Sequence, residues 1–95
     1  MNSSAGRRPL PPGMDEWIAA LCAELGVDVR LVATDTMLDV VSDVAHNVSR
    51  PAAPLSAFVV GLAAAANGGD EEAVLGAAEK ARQLALAWPS HRRSE

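Results

Sequence analysis

Apolar residues recur at steps of three and four in four separate stretches of the chain, and each stretch predicts one helix face. The first comprises Met14, Trp17, Ile18, Leu21, Cys22 and Leu25, over 14–25. Asp15 and Glu16 sit in its first turn, and Gly26 follows where a left-handed terminating residue is wanted. The second comprises Leu38, Val41, Val44, Ala45 and Val48, within 36–49, with Thr36 at the N-cap and Asp39 in the first turn. Its polar side carries Asp39, Ser42, Asp43, His46 and Asn47. Pro51 ends it, because a proline ring disfavours the helical conformation of the preceding residue, here Arg50.

The third helix is predicted over 54–66, with Pro54 as its first residue, where a missing N–H is harmless. Leu55, Phe58, Val59, Leu62, Ala63 and Ala66 supply its stripe, but the segment is apolar nearly all round, interrupted only by Ser56 and Gly61. Such a helix is buried on most faces, inside the domain or against a partner. Gly61 implies that another helix crosses closely at that point. Asn67-Gly68-Gly69-Asp70 reads as a turn that ends one helix with glycine and caps the next with aspartate. The fourth helix, over 70–88, places Val74, Ala77, Ala78, Ala81, Leu84, Ala85 and Trp88 on one face, and Pro89 stops it.

Between the first two helices, Val27, Val29 and Leu31 alternate as a strand would. A lone strand has no partner for its backbone groups, so 27–35 is a loop or a short helical turn. These elements predict an all-α, compact four-helix bundle over 14–88, with an N-terminal arm over 1–13 and a C-terminal tail over 89–95. Trp17 and Phe58 are expected in its core, with Trp88 closing one end. Four helices from about 75 residues leave apolar surface over, which predicts self-association across a two-fold axis.

Composition narrows the function more than it names one. Apolar residues are 49% of the chain and charged residues 21%, a globular composition. One cysteine, Cys22, excludes an internal disulfide, and no apolar run reaches bilayer-spanning length. A cytoplasmic protein is the resulting expectation. Between Pro9 and Pro89, four basic residues stand against eleven acidic ones, about −7 by simple count. That balance argues against nucleic-acid binding.

Two constellations hold candidate chemistry. Asp39, Asp43 and His46 share one face of the second helix and offer at most three ligands to a divalent metal, with no second cluster to complete the shell. His46, Arg50 and the uncapped helix start near Pro54 form a corner that can hold an anion, with Asp43 orienting one of them. The alternative is structural: Arg50 folds back on Asp43 and staples the corner. Phosphate-loop, dinucleotide, zinc-finger and catalytic-triad patterns are absent, so the chain reads as a non-catalytic protein with no cofactor.

The stretches MDEWIAALCAELGVD and DVAHNVSRPAAPL, with the alanine-rich last helix ending in AW, carry a resemblance. Over roughly Met14–Trp88 the chain resembles a small actinobacterial helical domain of unknown function. That domain is similar to one found after the nucleotidyltransferase domain of molybdenum-cofactor guanylyltransferase-like proteins. The sharpest part runs from Asp43 through His46, Arg50, Pro51 and Pro54 to Leu55. The resemblance implies an accessory domain linked to molybdopterin nucleotide metabolism, with a nucleotidyltransferase-like protein partner, and no activity of its own.

Overall fold

A computed structural model describes the backbone of residues 10–93 and side chains up to Pro89; most of the expected arm, and residues 94–95 of the expected tail, lie outside the described residues. Helix α1 is Met14–Leu25, the span its stripe predicts. Gly26 ends it at φ 72°, a left-handed conformation open to glycine, and the Val27 N–H then closes back on the Cys22 carbonyl at 2.9 Å. The uncertain segment holds a short 3-10 turn, Val29–Leu31. Asp28 starts it twice over: one carboxylate oxygen accepts the Arg30 backbone N–H at 3.0 Å, and the other accepts the Arg30 guanidinium at 2.7 Å. Those bonds hold the Asp28 carboxyl below its ordinary range and raise the Arg30 guanidinium.

Helix α2 is Thr34–Asn47, beginning two residues before the Thr36 cap expected of it. The helix is launched from Ala33, whose φ of 50° is left-handed and whose carbonyl takes the Met37 N–H at 2.9 Å. No side chain caps this end. Helix α3 is Ala52–Ala66, so Pro54 lies third in the helix rather than first. Both places are compatible with proline, because the first four helical N–H groups have no intrahelical acceptor. The α3–α4 turn forms as read. The Gly69 N–H bonds the Ala64 carbonyl at 2.8 Å, and the Asp70 carboxylate accepts the Ala73 N–H at 2.9 Å.

Helix α4 is Glu71–Arg93 and continues through Pro89, which corrects the expected stop. Proline removes one donor, leaving the Ala85 carbonyl without its helical N–H, a local loss that need not end the helix.

The fold is all-α, with four helices and a short extra turn among the described residues. Helices α2, α3 and α4 pack on one another pairwise, whereas α1 approaches only the 3-10 turn closely. The interior is built from small side chains: Val40 and Val44 of α2, Ala53, Val60 and Ala64 of α3, and Ala78 and Ala85 of α4, with Cys22 of α1 also buried. Val40 is the largest fully buried side chain. Alanine on the facing sides is compatible with close approach of the helix axes.

Two expectations about this core are overturned. Trp17 is 62% exposed and Phe58 63% exposed. Trp17 is on the helix least packed against the rest. Phe58 is on a helix apolar on every side, where periodicity cannot say which side turns inward; α3 buries its Ala53–Val60–Ala64 side instead. The expected crossing at Gly61 is absent as well, since a Cβ there would meet nothing within 4 Å. Trp88 is half-buried at the end of the bundle where α2, α3 and α4 meet.

Candidate functional site

At the corner between α2 and α3, Asp43, His46 and Arg50 make no hydrogen bond or ion pair with one another. Asp43 faces α4, where its carboxylate accepts a hydrogen bond from Arg82 Nε at 2.7 Å. This is a partly buried ion pair between residues 39 positions apart, and it raises the Arg82 guanidinium above its ordinary value. The expected Arg50–Asp43 staple is therefore not formed. Arg50 is exposed and makes no ion pair among the described residues. His46 turns back along its own helix, with Nδ1–H donating to the Ser42 carbonyl at 2.9 Å, which leaves Nε2 for solvent or a ligand. Among the described residues, no three His, Cys, Asp or Glu side chains converge to hold a metal ion.

Arg82 is the residue that sequence reasoning missed, and a signal for it exists. It lies four residues after Ala78 and three before Ala85, on the inward side of α4. A guanidinium on an otherwise alanine face requires a carboxylate from a neighbouring helix. Asp43, midway along α2, is the one that supplies it.

The more conspicuous feature is apolar. Leu55, Phe58, Val59 and Leu62 form a stripe on the outer side of α3, each more than half exposed. Beside it a cavity of about 390 Å³ opens between the ends of three helices, lined by Val44, Val48, Leu55, Val59, Leu84 and Trp88 among others. A second cavity of about the same size lies under the 3-10 turn, bounded by Leu31, Val32, Met37 and the Gly61 flank of α3. Neither cavity is lined by an ionisable side chain. Helix α3 carries no charged residue along its 15 residues. Charge resumes only beyond its ends: Arg50 before it, and Asp70, Glu71 and Glu72 after it.

A family profile described as "Domain of unknown function (DUF6457)" matches residues 10–93, which takes in α1 through α4. The chain belongs to the DUF6457 family. Comparison with curated proteins and with solved structures gives no match. The DUF6457 match thus agrees with the resemblance to a helical domain of unknown function, and it brings no activity, partner or source organism with it. No helix among the described residues of this DUF6457 domain is long and apolar enough to cross a membrane.

Proposed function

We propose that the domain is a non-catalytic interaction module whose working surface is the outer face of α3. One observation carries this reading: the distribution of side-chain size is inverted. Among the described residues, every buried apolar side chain is Ala, Val or Cys, while Leu55, Phe58, Leu62 and Leu84 stand in solvent. Burying a leucine or phenylalanine is worth about 1.5–3 kcal/mol, and the free chain forgoes that several times over along one helix. Contiguous exposed apolar surface of this kind is characteristic of recognition faces. With Asp43 engaged by Arg82, the corner serves as scaffold for the α2–α4 seam and presents α3 at a fixed angle. A nucleotidyltransferase-like protein is the heterologous partner that the family resemblance suggests, which would make the domain an accessory to molybdopterin nucleotide metabolism.

The test is a pair of charge insertions, Phe58→Glu and Leu62→Glu. Both side chains are exposed, so each variant should stay helical and within about 0.5 kcal/mol of the wild-type stability per protomer. Association should be lost, whether read as self-association by light scattering or as co-purification with host proteins. Variants that associate like the wild type, or that unfold, would overturn the reading.

A further inference from the structure

We infer that the occupant of the α3 face is α3 of a second copy, packed antiparallel across a two-fold axis. This rests on the reading of α3 as an interaction surface and adds the identity and direction of the partner. Complementarity of charge along the helix supports it. The uncharged stripe is bounded by an exposed cation, Arg50, on its N-terminal side and by three exposed acids, Asp70, Glu71 and Glu72, on its C-terminal side. Laid antiparallel, each copy places its Arg50 toward the acidic end of the other. Symmetry makes that contact twice. Laid parallel, Arg50 meets Arg50 and six acids gather at the opposite end, which is repulsive. The helix dipoles favour the same choice, since each positive N-terminus then lies beside a negative C-terminus.

The apolar residues obey the same symmetry. The midpoint between Arg50 and Glu71 falls between Val60 and Gly61. A two-fold axis there sets Val59 against Leu62 of the second copy, and Leu55 against its Ala66. All four lie on the outward side of α3 and are exposed. The stripe is thus apolar against apolar in this register, and the charges beyond its ends select the antiparallel sense over the parallel one. Leu84 and Trp88, across the groove from Leu55 and Val59, line the edge of the same surface.

Sedimentation of the full chain at low ionic strength tests the inference. Wild type should be a dimer in the micromolar range. Arg50→Glu should weaken it about tenfold, an effect that shrinks in high salt because the charges are exposed. Arg50→Glu combined with Glu71→Arg should restore the dimer. Arg50→Glu combined with Glu24→Arg has the same net charge but alters a remote helix, and it should not. Direction is read separately, in a Cys22→Ala background, by oxidising mixtures of single-cysteine chains. Leu55→Cys should cross-link to Ala66→Cys in preference to itself.

A clean monomer at high micromolar concentration, rescue by Glu24→Arg as good as by Glu71→Arg, or a Leu55→Cys self-link that dominates would each overturn the inference. The broader reading of α3 fails on different grounds, namely if Phe58→Glu and Leu62→Glu bind every partner as the wild type does.

Discussion

Asp43 illustrates how one side chain's role depends on a residue far along the chain. Its bond to Arg82 joins α2 to α4, and both groups are only partly exposed. A hydrogen bond between charged groups is worth about 1.5–3 kcal/mol when buried; discounting for the third of Arg82 that faces solvent leaves about 1–2 kcal/mol. Asp43→Ala and Arg82→Ala should each lower the unfolding free energy from urea denaturation by that amount, and the double variant should cost less than their sum. Arg50→Ala should leave it nearly unchanged, the opposite of what a staple with Asp43 requires. Asp28 gives a pH prediction of definite sign. Its folded pKa is depressed by the Arg30 hydrogen bonds, so their contribution is present above its unfolded value of about 3.9 and is lost as pH falls through the folded value. An NMR titration should find the Asp28 midpoint below the ordinary aspartate value, and Arg30→Ala should bring it back up. Local devices such as the Asp70 cap and Gly26 were legible in the sequence, because their partners lie within five residues. The Asp43–Arg82 pair was not, because it depends on which faces of two distant helices meet.

At the scale of elements, periodicity located all four helices, and α1 to the residue. Errors cluster where proline or threonine was taken as a marker of one position. Thr36 and Pro54 are each compatible with several places in a first turn, and the chain uses Thr34 and Ala52 as the first helical residues. Orientation was legible in part for α2 and α4. Their stripes hold the buried Val44, Ala78 and Ala85 but miss the fully buried Val40 and include the exposed Leu84. It was not legible for α3, whose apolar residues surround it. That single ambiguity put Phe58 in the expected core and suggested a close crossing at Gly61. With open space around the Gly61 Cα, Gly61→Ala should stabilise the protomer by about 1 kcal/mol through helix propensity alone. Chemical denaturation should show a higher midpoint at unchanged slope. A destabilised Gly61→Ala would mean that a neighbour lies against that flank.

The whole molecule is a three-helix core of alanine and valine with α1 attached through the 3-10 turn, acidic overall and uncharged along one helix. The all-α architecture followed from the sequence because helix signals are local. What lay outside was unreadable, because a chain that keeps small residues inside and large ones outside reverses the usual ranking. This inverted interior also bears on how the molecule responds to temperature. Heat capacity of unfolding tracks the apolar area exposed, on average about 12–15 cal/mol/K per residue. A protomer whose interior is alanine and valine falls below that average, so its stability curve is shallow and changes little on cooling. If α3 associates as proposed, the missing heat capacity belongs to that association, which would bury the leucines and phenylalanine of α3 and should carry the large negative change that the fold itself lacks.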